Sequence, residues 1–211
     1  MKKSYPYIDF LKVLGLFCII LAHVNPPSIL MQIRNFDVPL MVIVSGLLAS
    51  LTSIESNGGG YICMAYYKKR LERLVIPTWI FLLLYFFSYW LIAGWFDLRI
   101  VVKSFFFQQD SIGYVWIIWV YVITAFLTPI LSKLYDNYGK RFILAYTLLY
   151  IAYEFLVFLK VGVNNRLFIY TLYYVIPYGL ILLLGLLYQK FTSKNRLMVI
   201  ILSLIIFGGQ A

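Results

Sequence analysis

The sequence predicts an all-α protein: a polytopic transmembrane helix bundle with six full spans plus a partial seventh, forming one membrane-embedded domain over residues 1–211. Three observations predict it. The long apolar runs are solid, not alternating as the strands of a membrane barrel would be. Most of them are about 18–22 residues long, the length of a spanning helix at a rise of ~1.5 Å per residue. The whole chain is 63% hydrophobic and only 12% charged, against about 45–50% and about 25% for a soluble domain. The bilayer is therefore the partner that the composition itself demands.

The first span is predicted over residues 8–25, IDFLKVLGLFCIILAHVN. Its basic start resembles a signal peptide, but Asp9 and Lys12 interrupt the apolar core and no small-residue cleavage site follows, so it reads as an uncleaved helix. Ionisable groups inside a span are costly and call for a partner. Asp9 and Lys12, three residues apart, can meet on one helix face. Lys12 and His23 are separated by close to three full turns, so they share that face about 16 Å apart along the axis. Such a face should look into a polar cavity. For Lys12 and Asp9 the alternatives are snorkelling to the interface and capping of the helix start. For His23, the only histidine in the chain, the alternative is a satisfied structural role.

A second span is predicted over 36–54, opening FDVPLMVIVSGLLAS. Pro39 suits a helix start, and Ser45-Gly46 makes a thin point for a neighbouring helix or a substrate. Next comes YYKKRLERLVIP, residues 66–77, ahead of a third span over 74–95. Arg70 and Arg73, with Lys69 beside them, either grip a phosphate with paired guanidinium donors or anchor the helix at the membrane surface. The fourth span, 114–131, carries Trp116 and Trp119 near its start. These are interface anchors or, for Trp116, a stacking platform for a sugar. The fifth, 142–159, holds Glu154, which either pairs with a basic group or sits at a water-filled opening. The sixth covers 167–188, and a partial seventh starts at Leu197 and runs only to Phe207. About eleven residues cross roughly half of a hydrocarbon core, so this helix is either re-entrant or, the favoured expectation, the cut end of a truncated form of a longer protein.

Basic residues set the orientation. Twelve of the 18 fall in one set of connections: Lys2, Lys3, Lys68, Lys69, Arg70, Arg73, Lys133, Lys140, Arg141, Lys190, Lys194 and Arg196. The alternate set holds five: Arg34, Arg99, Lys103, Lys160 and Arg166. The excess predicts a cytoplasmic N-terminus, with His23 toward the outside. Topology also accounts for the net charge of +10, so no nucleic-acid partner is expected. Cys18 lies in the first span and Cys63 in a cytoplasmic connection, so neither a disulfide nor a metal site is expected.

Five segments carry a resemblance: IDFLKVLGLFCIILAHVN, FDVPLMVIVSGLL, KKRLERLVIPTW, SIGYVWIIWVY and YGLILLLGLLY. In this order and spacing the chain resembles the acyltransferase-3 family of bacterial membrane acyltransferases, which acylate cell-surface glycans. The most specific piece is a basic residue, ten intervening residues and a histidine, here Lys12 and His23. The basic residue is often arginine in this family, and the lysine form resembles a branch associated with sugar O-acetylation. Family members carry further spans beyond the seventh. The resemblance implies transfer of an acyl group, acetyl by default, from cytoplasmic acyl-CoA to a hydroxyl of a cell-surface or lipid-linked glycan, at the bacterial inner membrane. It implies His23 as the general base or transient acyl carrier, and Lys12, held by Asp9, as the stabiliser of negative charge. Arg70 and Arg73 map onto the family's arginine pair and would hold CoA phosphates. No resident cofactor or metal is expected, and no protein partner is indicated. The rival expectations are a transporter or flippase subunit for lipid-linked sugars, with Lys12, His23 and Glu154 as proton or substrate sites, and an inactive fragment.

Overall fold

A computed structural model describes residues 5–22, 24, 27–33, 36–55, 64–95, 97–108, 111–112, 115–159 and 166–192. Among the described residues there are eight α-helices and no strand. They are α1 (Pro6–Ala22), α2 (Ser28–Ile33), α3 (Asp37–Glu55), α4 (Met64–Ala93), α5 (Leu98–Phe105), α6 (Trp116–Tyr138), α7 (Lys140–Phe158) and α8 (Arg166–Leu187), with a 3-10 turn over Tyr188–Lys190. The chain divides into two units, residues 1–59 with 180–211 and residues 60–179.

The expectation of six full spans is corrected. Three helices among the described residues are long and apolar enough to cross a membrane: Tyr66–Ala93, Trp116–Tyr138 and Lys140–Phe158. Apolar stretches also lie within α3 (Asp37–Leu51) and α8 (Tyr174–Lys190), and α1 has 17 residues. At ~1.5 Å per residue α1 reaches about 26 Å, under the ~30 Å of a hydrocarbon core. The partial seventh span lies outside the described residues.

In the first unit α1 and α3 run antiparallel. Ile8 packs with Val44 and Leu47, and Leu11, Leu40, Leu48 and Leu51 close around them. Farther along α1, Gly15 lies against Met41, where an added Cβ would stand 2.8 Å from its Cγ. The last turns of α8 cross α3 backbone to backbone. A Cβ on Gly46 would lie 2.6 Å from the Leu182 carbonyl oxygen, and one on Gly185 would run into the Ile43 carbonyl. Two glycines at one crossing let the helix axes approach until main chains touch, a packing that membranes favour because lipid supplies no hydrophobic drive between helices. The thin point read at Ser45-Gly46 is thus filled by another helix.

In the second unit α4 extends ten residues ahead of its predicted apolar start, so the basic run is part of the helix. Its Pro77 has no N–H for the Arg73 carbonyl, and the Thr78 hydroxyl donates to the Leu74 carbonyl at 2.7 Å. In α6, Thr124 and Thr128 are buried and donate to the Tyr121 and Thr124 carbonyls at 3.0 and 2.7 Å, so neither hydroxyl is left wanting in an apolar setting. Gly139 alone joins α6 to α7, at φ +56° and ψ −134°, a backbone state that suits glycine. On α7 only Tyr146 and Tyr153 are buried. Along α4, Ile80, Phe81, Leu83, Leu84, Phe87 and Leu91 are exposed while Leu82 and Phe86 are buried. So much outward apolar surface is what a lipid solvent requires.

The Tyr146 hydroxyl donates to the Val175 carbonyl at 3.1 Å and fills the space beside Gly179 that a side chain there would occupy. Replacing Tyr146 by Phe removes this bond and the longer one, 3.5 Å, to the Ile176 carbonyl. The expected loss is about 1 kcal/mol, read as a lowered midpoint of SDS-induced unfolding in mixed micelles. An unchanged midpoint would show that the bond contributes nothing.

The segment after α4 departs most from expectation. Residues 96–113, read as a plain outer connection, include α5, which folds back along α4. The Trp79 indole donates to the Phe105 carbonyl at 3.2 Å, and the Phe86 and Phe105 rings lie 6.4 Å apart. Leu82 and Phe86 share a cluster with Phe107 and Val115, and Val75, Val101, Ile112 and Ile118 pack on it. Val101 and Phe105, four residues apart on α5, supply its inward face.

Candidate active site and anion-binding face

Two groups of polar side chains stand out, one in each unit. In the first, α1 is continuous from Pro6 through Ala22, which keeps Lys12 in helical phase up to the residue before His23. His23 itself lies outside the described residues. The Lys12 ammonium donates to the Asp9 carboxylate at 3.1 Å, closing the pair expected from their spacing. Their side chains are 38% and 60% exposed, so the pair sits on the rim of the α1–α3 contact. A rim position leaves the ammonium free to turn toward a bound anion, since a half-exposed pair is weakly held. Ser45 is half-buried on α3, beside the Gly46 crossing.

One residue of this region was not singled out from sequence. Asp37 is only 4% exposed, at the first turn of α3, and its carboxylate accepts from the Val38 N–H at 2.6 Å. Its backbone carbonyl lies 3.7 Å from where a Gly15 Cβ would stand. Its signal in the sequence is an acid at the head of an apolar run. The positive end of the helix favours a carboxylate there, which offsets part of its burial.

In the second unit the basic face lies on the early turns of α4. Arg70 is half-buried, with its guanidinium 6.0 Å from the centre of the Tyr66 ring. Arg73, one turn on, is exposed, as is Lys69. Lys68 is drawn to Glu72 at 3.9 Å. Tyr67 stacks on Phe126 of α6, with ring centres 5.1 Å apart, which fixes this end of α4 against its neighbour. The arrangement offers an anion one guanidinium oriented by an aromatic face and a second held free in solvent.

Trp116 begins α6 and is half-buried; its ring stacks on Tyr174 at 6.3 Å, and Tyr174 stacks on Tyr178 at 6.2 Å. Its stacking thus runs into an aromatic column instead of a bare interface belt. Trp119 is exposed. Glu154 is exposed on α7 and joins no ion pair among the described residues. The structure thus closes Asp9 on Lys12 and places Arg70 and Arg73 one turn apart on α4. Among the described residues no group of histidine, cysteine and carboxylate side chains could hold a metal ion.

Compared with known families, residues 5–210 match the acyltransferase-3 family, described as an acyltransferase domain. The chain belongs to the acyltransferase-3 family. The match runs from the first described residue almost to Ala211, so both polar groups lie inside the family domain. No curated protein and no solved structure matches the chain. Family membership and three membrane-length apolar helices together make this a membrane protein with an acyltransferase domain.

Proposed function

We propose that the protein moves an acyl group, acetyl by default, from cytoplasmic acyl-CoA to a hydroxyl of a cell-surface or lipid-linked glycan. It works in the bacterial inner membrane with its N-terminus in the cytoplasm. The observation that carries the reading is the pairing of Arg70 and Arg73 on the early turns of a membrane-length helix, in a chain of this family. Coenzyme A is a polyanion, and planar guanidinium groups suit its phosphates. Lys69 adds charge beside them.

A sugar hydroxyl is a weak nucleophile at neutral pH and needs a base that titrates there, which is histidine. His23 takes the hydroxyl proton as the sugar oxygen attacks the thioester carbonyl. The Lys12 ammonium, held by Asp9 toward the other end of the helix, stabilises negative charge on the donor. Collapse of the tetrahedral intermediate breaks the carbon–sulfur bond, and the thiolate of CoA recovers the proton from His23. Ser45 and Glu154 contribute polar contacts to the substrates, and Trp116 offers a ring to the apolar face of a sugar.

The test is transfer of label from radiolabelled acetyl-CoA into extracted surface glycan by membranes carrying the chain. Arg70→Ala and Arg73→Ala are each expected to raise the KM for acetyl-CoA roughly 10- to 100-fold, the worth of a charge-assisted contact, with little change in kcat. Added salt should raise the native KM and flatten the difference. A KM unmoved by either substitution would remove the phosphate contact from the reading, and no transfer by the native chain would remove the reading itself.

A further inference from the structure

A groove of about 350 Å³ runs between α4 and α5, within the ~300–1,000 Å³ of ordinary ligand sites. Leu83, Phe86, Phe87 and Trp90 line it from α4, and Val101 and Phe105 from α5. Phe86 is buried and closes its inner side, while Leu83, Phe87 and Trp90 are exposed along its open wall. From Leu83 to Trp90 the groove follows α4 for about 10 Å. Apart from the Trp90 indole N–H, its lining side chains offer only carbon. Because α4 is a membrane-length helix, the solvent at such a surface is hydrocarbon.

The two ends of the groove differ. α5 begins soon after α4 ends, and its last residue, Phe105, accepts from the Trp79 indole. It therefore runs back along α4, with Val101 nearer the Ala93 end. At that end stand Trp90, the exposed Trp95 and the exposed Arg99, two residues or ~3 Å along the axis from Val101. Tryptophan and arginine belong at headgroup depth. Leu83 and Phe105, at the other end, are carbon alone. The Asp97 carboxylate is engaged in capping α5, accepting from the Arg99 backbone N–H at 2.8 Å. Among the described residues the Arg99 guanidinium has no ion-pair partner. A cation at one end of an apolar groove is the complement of a lipid, with its anionic head and hydrocarbon tail.

We propose that this groove is a lipid site, which seats the hydrocarbon chain of a membrane lipid and holds that lipid's phosphate at the Arg99 guanidinium. The planar fork of Arg99 suits phosphate oxygens, and Lys103, one turn on along the same face of α5, adds charge. Burying the tail gains little over the bulk bilayer, because lipid chains are as apolar as the residues they touch. Selection therefore comes from the phosphate, and the groove fixes where the chain descends. Under the acyl-transfer reading above, on which this one step rests, the lipid is the acceptor. The glycan is then presented lipid-linked, at the end of α4 away from Arg70 and Arg73. Donor and acceptor meet one helix from opposite ends.

The experiment is photolabelling of the full chain in phosphatidylcholine nanodiscs, without acyl-CoA. The probe is a long-chain polyprenyl phosphate with a diazirine on its chain. The reference is the uncharged polyprenol carrying the same diazirine at the same mole fraction. Adducts are mapped to peptides by mass spectrometry. Arg99→Gln removes the cation, and Leu83→Trp puts bulk on the exposed wall of the groove. Arg141→Gln and Leu144→Trp, both exposed on α7, are the controls. Circular dichroism and limited proteolysis confirm that each variant keeps its fold.

The expected result is that the phosphate probe labels residues 83–105 about ten-fold or more above the polyprenol, the worth of a charge-assisted contact. Arg99→Gln should erase that ratio, Leu83→Trp should lower the adduct by a similar factor, and neither control should change it. Three results would overturn the proposal. Equal labelling by both lipids would make the groove ordinary lipid-facing surface. A ratio that survives Arg99→Gln would place the phosphate elsewhere. No adduct over residues 83–105 would leave the groove to a protein occupant, another helix or a second copy. Acetyl transfer is assayed separately on the same preparations. A phosphate-dependent adduct without transfer keeps the lipid site and removes the acyl-transfer reading, and transfer without that adduct does the reverse.

Discussion

His23→Ala is expected to lower the acyl-transfer rate by roughly 10²- to 10⁴-fold, the usual contribution of a positioned general base. KM for acetyl-CoA should barely move, because the donor phosphates are held elsewhere. The alternative role, histidine as transient acyl carrier, predicts a different pattern: label bound covalently to the protein in the absence of glycan, and lost in the variant. The native rate should fall as pH drops through the histidine range, since only neutral imidazole accepts the proton. Lys12→Met should lower kcat/KM for acetyl-CoA, while Lys12→Arg, which restores the residue more often found in the family, should recover much of it. Transfer that survives His23→Ala at the native rate removes His23 from the chemistry and leaves the enzyme assignment standing.

The second large effect falls on assembly. Gly46→Val places branched carbon where the Leu182 carbonyl and the Leu186 N–H of α8 already lie, 2.6 and 2.9 Å from the Cβ position. Those are main-chain atoms and cannot swing aside as a side chain would. The helices must part, and the buried packing of Val42, Leu182, Leu183 and Leu186 is lost with them. A loss of about 3 kcal/mol or more is expected, at or beyond the upper end of overpacking costs. It would be read as a lower yield of detergent-soluble folded protein and faster limited proteolysis. Gly185→Val should behave alike, against the Ile43 carbonyl. The exposed Val13→Leu on α1 should leave both measures unchanged. A Gly46→Val protein as resistant as the native one would show that α3 and α8 do not meet there.

The sequence by itself determined the all-helical class, the membrane as solvent, the Asp9–Lys12 pair, the Arg70–Arg73 face and the family. Each of these is local or compositional. Ion pairs at i and i+3 follow from helical pitch, apolar run length follows from bilayer thickness, and family segments are read in order along the chain. The structure alone decided how many described helices reach a membrane's thickness, because helix ends such as Ala93 and Tyr138 depend on where the chain turns.

It alone decided that Asp37 is buried and that Gly46 meets Gly185, a contact between residues far apart in the chain. It also turned Ser104 and Phe107 inward. The bond that does so joins Trp79 to Phe105 across 26 residues, and no period of hydrophobicity in either segment carries that information. A pattern along one helix tells which face is apolar. Which neighbour covers that face is a tertiary matter, settled by shape, by hydrogen bonds that no water in the membrane can replace, and by the few glycines that let backbones touch.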